Sequence, residues 1–194
     1  MIRHFFRRSF ILLLLFGMFI FLLPCGVFAQ TEVAVDIKPG SCPNPINIKS
    51  QGVLTVAILG TEDFDVTTID PASIRLLFDG TELAAPIRSK VEDVAAPFVG
   101  DLLSCEDCYI SGPDGCPDLT VKFRTQDIIA ALSTDIEEGV ITDGQCIVLE
   151  ITGSADEGRT VFAGADVVRI LIKGKTPNRY RNGNRNTHRN FPTE

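Results

Sequence analysis

At 194 residues the chain is long enough for one ordinary domain between two distinctive ends, and its formal net charge of −7 averages three dissimilar segments. Residues 1–29 carry three cations and no acid, 173–194 carry six cations and one acid, and 30–172 keep nine cations against 24 acids, a net of −15. So acidic a body excludes a nucleic-acid binder, which needs a basic face, and a segment of about 140 residues excludes a multidomain enzyme.

The first 29 residues read as a secretory signal peptide. A short cationic start (Arg3, Arg7, Arg8) precedes an apolar run from Phe10 to Leu23, Pro24 ends the run, and Val27-Phe28-Ala29 offers a cleavage site before Gln30. Retention of Phe5 to Ala29 as an anchor, or a lipid on Cys25, are the alternatives, the latter disfavoured by Pro24. All three put the rest of the chain outside the cytoplasmic membrane, because the cations stay inside. The expected localisation is therefore secreted or cell surface, with no transmembrane domain once the signal is cut.

From Thr31 onward the apolar period is two. Val33, Val35 and Ile37 alternate with Glu32, Ala34, Asp36 and Lys38, and Pro39-Gly40 ends that strand. Ile46 and Ile48 repeat the pattern, and Val53 to Leu59 is continuous enough for a strand covered on both faces. Ile74, Leu76 and Phe78 share a face ahead of the hairpin signal Asp79-Gly80. Ile87 to Val94 is a further strand, followed by Leu119, Val121 and Phe123, then Ile147, Leu149 and Ile151, then Val168, Ile170 and Ile172. Residues 151–164 read as a hairpin around Gly158, and only Thr125 to Leu132 looks helical, with Ile128, Ile129 and Leu132 on one side. Short strands separated by Gly, Pro and Asp turns predict an all-β antiparallel β-sandwich over 30–172, Ig-like or of related topology, although the absence of Trp excludes a core built on a buried strand-C tryptophan. Residues 173–194 have almost no apolar side chains and are expected to be a disordered basic tail, a solvated end first and a contact for anionic polymer second.

Export decides how the cysteines read. The mature chain keeps Cys42, Cys105, Cys108, Cys116 and Cys146, an odd number that predicts two disulfides and one free or intermolecular thiol. Disulfide pinning of the 105–116 loop is the main expectation. Zinc on Cys105, Cys108 and Cys116, with Cys42 or Cys146 as fourth ligand, is the minor one, because the compartment is oxidising and the mature chain has a single histidine, His188. A redox Cys-x-x-Cys lacks the βαβ surroundings such a motif uses.

Catalytic signatures are missing. The body has no histidine to act as general base, and the nucleophile elbow, the zinc-protease motif, the P-loop and the dinucleotide fingerprint are all absent. A carboxylate pair acting on extracellular polysaccharide is the one enzymatic alternative, requiring two carboxylates roughly 5–9 Å apart in a cleft. Calcium has more support. Asp107 to Asp118 spans twelve residues with Ser111, Gly112 and Asp118 at EF-hand-like positions, and Asp114 adds a further oxygen donor. Tyr109 stands where an oxygen ligand belongs and Asp118 is shorter than the usual glutamate, so a disulfide-closed loop with its acids in water is the competing expectation. Asp63, Asp65 and Asp70 read as turn residues.

The ordered landmarks resemble a β-rich module recurrent in exported bacterial and archaeal surface proteins. They are Val35-Asp36-Ile37-Lys38-Pro39-Gly40-Ser41, Pro43-Asn44, Ile46-Asn47, Val56 to Thr61, Phe64-Asp65-Val66, Ile69-Asp70-Pro71, Asp114-Gly115, Asp118-Leu119, and Ile151-Thr152-Gly153 with Gly158, Gly164 and Asp166. The resemblance spans most of 33–173 and implies a non-catalytic unit of secreted or cell-surface proteins. Its members often carry a compact Asp/Asn-rich loop where this chain has the longer Cys105–Cys116 segment. The sequence thus predicts an exported, non-catalytic structural or binding module with an extracellular or cell-envelope partner and no required cofactor. A calcium-stabilised domain and a polysaccharide hydrolase are the alternatives.

Overall fold

A computed structural model describes residues 30–100, 104–108 and 111–173. The expected signal peptide, Cys25 and the basic tail beyond Lys173 lie outside the described residues.

Among the described residues, ten strands form two sheets. In the first, β1 (Gln30–Glu32), β10 (Thr160–Leu171), β9 (Cys146–Ala155), β5 (Arg75–Phe78) and β6 (Thr81–Ala84) follow in that spatial order, and β3 (Pro45–Asn47) also pairs with β10. In the second the order is β2 (Val35–Ile37), β4 (Val53–Ile58), β8 (Asp118–Arg124), β7 (Arg88–Glu92). The period-two pattern explains the shared interior. Ile37, Val56, Ile58, Val121 and Phe123 from the second sheet fall into one apolar cluster with Leu76, Leu149, Ile151, Phe162 and Ile170 from the first. Phe162 meets Phe64 edge-on at a centroid separation of 5.7 Å, an arrangement favoured by the ring quadrupoles.

Strands β9 and β10 form the longest hairpin, in register from Thr160 opposite Ala155 to Arg169 opposite Cys146. Asp79 and Gly80 both take positive φ (48° and 72°) between β5 and β6, the mirror-image turn that matches strand twist. The pairing departs from the all-antiparallel expectation at one place: β3 runs parallel to the end of β10, Ile46 opposite Ile170. It can do so because the chain between β2 and β3 swings from one sheet to the other instead of turning back on itself.

The predicted helix is α1 (Thr125–Ala131), which buries Ile128 and, just past its end, Leu132. A second short helix, α2 (Ser133–Glu137), continues the segment with Ile136 packed on the core, an element the apolar spacing alone did not separate from a loop. Among the described residues no helix is long and apolar enough to cross a membrane.

The outer face of the second sheet is also covered in part. Ala57, Leu59 and Ala95 are fully buried together, with Ala34, Val94 and Phe98 against them. Residues 94–98 therefore lie across β2 and β4 from outside. Asp36, on the face of β2 opposite Val35 and Ile37, is also fully buried.

Candidate functional site

Three features gather chemistry-bearing side chains. The first is the loop expected to hold a metal. Cys42 is bonded to Cys108 and Cys105 to Cys146, while Cys116 is a free, half-buried thiol. The two-disulfide, one-thiol count is as predicted. The pairing overturns the zinc alternative, because four of its five candidate sulfurs are bonded to each other. It also removes a redox Cys-x-x-Cys, since Cys105 and Cys108 leave in different directions.

The four residues proposed for calcium, Asp107, Ser111, Asp114 and Asp118, have different surroundings. Asp107 accepts from the amide of Ser104 at 2.8 Å, and Ser111 is exposed. Asp114 accepts from the amide of Cys116 at 2.9 Å, while its own amide and that of Gly115 donate to Asp93. Asp118 is fully buried and takes three backbone amides: Gly60 on Oδ1 at 3.1 Å, Val94 and Ala95 on Oδ2 at 2.8 and 3.2 Å. Asp118 is thus the peg that holds the covering segment to the sheet. Burial pushes its carboxyl above the usual range, and the three amides offset only part of that rise. Among the described residues no three His, Cys, Asp or Glu side chains converge to hold an ion. Asp65 and Asp70 accept the amides of Thr67 and Ala72 at the starts of two 3-10 turns, the turn chemistry read from sequence.

The second feature is a buried carboxylate pair. Asp36 and Asp166 are both 0% exposed. Strand β2 has β4 on one side only, so the amide of Ile37 would lack a partner. Asp166, reaching from β10, supplies one: its Oδ2 accepts from Ile37 at 2.7 Å and from Nδ2 of buried Asn44 at 3.0 Å. Its Oδ1 accepts from the amide of Val167 at 2.7 Å, and Asn44 also donates to the Val167 carbonyl at 3.3 Å. Asp36, on the residue preceding that Ile37 amide, has no hydrogen-bond partner on either oxygen, and Oδ1 of Asn44 has none either. Burial pushes the Asp36 carboxyl up to about 7, and the charges of Asp166 and then Asp118 add to the rise. Burial likewise pushes Asp166 up to about 6, against the pull of the amides of Ile37 and Val167.

Sequence reasoning quoted Asp36, Asn44 and Asp166 only as landmarks. The usable signal was an acid inside an apolar strand at Val35-Asp36-Ile37 and again at Ala165-Asp166-Val167. The pair meets the desolvation half of the hydrolase expectation, but complete burial leaves a polysaccharide no path to it.

The third feature is the open remainder of the same sheet face. Two open grooves of about 370 and 380 Å³ adjoin there. Arg88, Lys90 and Lys122 line one, Lys38, Thr55 and Val94 the other, and both share Glu92 and Thr120. Glu92 is engaged by Lys90 at 2.6 Å and by the Thr120 hydroxyl at 2.7 Å, contacts that hold its carboxyl below the usual range. Four of the nine cations of the acidic body collect on this face.

No family model matches the chain, and no curated protein matches it in sequence. Among solved structures, the chain is similar to AggA, the major subunit of aggregative adherence fimbriae type I from Escherichia coli, at 10% identity over 75% of this chain and 97% of that one, with a TM-score of 0.25.

Proposed function

We propose that the chain is an exported, non-catalytic structural or binding module, a two-sheet β-sandwich that works outside the cytoplasmic membrane. The observation that carries this reading is the pair of disulfides, Cys42–Cys108 and Cys105–Cys146. Such bonds form and persist in an oxidising compartment, and a leader of cationic start, apolar run and small-residue cleavage site precedes them. The module reading is supported by how the acids are used. Asp65, Asp70 and Asp118 serve backbone amides, and the desolvated pair is sealed from solvent. The groove lined by Arg88, Lys90 and Lys122 is the surface we assign to a partner, because it concentrates cations on an otherwise acidic body.

Intact mass of the exported protein, with and without reduction before alkylation, tests the reading. The expected result is a chain beginning at Gln30 that takes one alkyl group as isolated and five after reduction. A cytoplasmic, uncleaved chain that takes all its alkyl groups without reduction would overturn it.

A further inference from the structure

We propose that Asp36, Asp166 and Asn44 form a binding site for a hard divalent cation, calcium, buried beside β2 where that strand meets β10. This site is distinct from the 107–118 loop and does not depend on the export reading, because binding is measured on the isolated protein.

Asp36 is fully buried with neither Oδ atom accepting a hydrogen bond, and Asn44, 1% exposed, leaves Oδ1 in the same condition. The amide of Asn44 cannot be reversed to cure this: Nδ2 already serves Asp166 Oδ2 and the Val167 carbonyl, both acceptors. Three acceptor oxygens without a donor are a large desolvation penalty, since buried polar groups are almost always paired. A proton on Asp36 serves that oxygen and at most one neighbouring acceptor, whereas a hard cation draws several oxygens at once. Asp166 adds a fourth, because its Oδ1 accepts only one bond, from Val167, and a carboxylate oxygen has a further lone pair.

The charge balance points the same way. The charges acting on Asp36 are both negative, Asp166 and Asp118. Lys38, two residues on, turns its ammonium to the Pro45 carbonyl at 3.1 Å, and Arg169 pairs with Glu106 through Nη2 while its buried Nε has no hydrogen-bond partner. Two carboxylates and an amide oxygen, with carbonyls or water completing about six to eight ligands, are the donor set that calcium takes. Asp118 is not counted as a ligand, because three amides hold its oxygens; it remains a third negative charge nearby.

The test uses the purified, disulfide-bonded chain, stripped with chelator and held at constant ionic strength. Calcium chloride at saturating concentration is expected to raise the thermal midpoint by about 5 °C or more, with one-to-one stoichiometry by calorimetric titration. Asp36→Asn is expected to abolish the rise while melting no lower than the parent without calcium, because it removes a buried charge that has no partner. Asp114→Asn, in the loop, is expected to keep the full rise. Should Asp36→Asn fail to fold, Asp166→Asn, whose remaining side-chain oxygen can still accept from Ile37, is likewise expected to abolish the rise, though from a lower starting midpoint because Asp166 also accepts from Val167. No rise in the parent, a rise retained by Asp36→Asn, a rise lost in Asp114→Asn, or an equal rise with magnesium or potassium chloride would each overturn the proposal.

Discussion

At the scale of single residues, most acids of this body either meet water or replace a backbone partner, and Asp36 does neither. Asp118 and Asp166 belong to the second kind, each accepting amides that would otherwise be buried without an acceptor. A carboxylate is suited to this because it is acceptor-only and its bonds to amides are charge-assisted. Gly60 is part of the same arrangement: a Cβ there would lie 2.0 Å from the Pro117 carbonyl oxygen, so only glycine brings its amide onto Asp118. Cys116 is governed by its surroundings in a similar way. Burial first, then the Asp114 carboxylate, push its thiol above the usual range, which lowers the thiolate fraction near neutral pH. Alkylation of native Cys116 by iodoacetamide is therefore expected to be slower at pH 7 than that of an unfolded cysteine. The rate should climb as pH rises past the ordinary thiol range and increase in Asp114→Asn, followed by mass spectrometry over time. Cys116→Ser should leave stability within about 0.5 kcal/mol, since that thiol makes no disulfide. The chemistry at Asp65 and Asp70 was legible from sequence because an Asx turn is local. That at Asp36 was not: whether the outer face of a strand is wet depends on residues 94–98, some sixty positions away, which no period-two pattern encodes.

At the scale of elements, β10 is the organiser. It pairs with β9 along ten positions, carries β3 in parallel, and gives Asp166 to the free side of β2. The close approach of β2 depends on Gly164, where a Cβ would sit 2.3 Å from the Val33 carbonyl oxygen and 2.5 Å from Val35 Cγ2. Gly164→Ala is expected to destabilise by about 3 kcal/mol or more, because one of the colliding atoms is backbone and cannot rotate away. Urea unfolding of the variant against the parent checks this. An alanine tolerated within about 1 kcal/mol would show that the two strands do not cross so tightly. The strands themselves were readable because each carries its own alternation, as in Leu119-Thr120-Val121-Lys122-Phe123. The parallel β3–β10 pair and the separation of α1 from α2 were not, because partner choice and a one-residue break leave no mark on hydrophobic periodicity.

At the scale of the whole molecule, the disulfides join segments that are far apart in sequence. Cys42–Cys108 closes a separation of 66 residues and Cys105–Cys146 one of 41. In the chain-entropy model each restricts the unfolded chain by about 4 kcal/mol taken alone. Cys42→Ser/Cys108→Ser or Cys105→Ser/Cys146→Ser is accordingly expected to lose about 2–5 kcal/mol, read by denaturant unfolding under non-reducing conditions. The count of two bonds and one thiol could be inferred from the five cysteines that follow the expected leader, but the partners could not, since connectivity follows from which loops the strands bring together.

The two closed loops overlap: the first bond spans positions 42 to 108 and the second spans 105 to 146. A single peptide cut anywhere between Cys42 and Cys146 therefore falls inside at least one covalent ring, and a cut between Cys105 and Cys108 falls inside both. A protease that nicks the chain once in that stretch is expected to leave one band on a non-reducing gel and two after reduction. An exposed loop such as the one around Val99, 95% exposed, can then be severed without the halves parting. In the extracellular setting proposed above, where nothing resynthesises a damaged copy in place, the overlapping rings turn backbone cleavage into a survivable event.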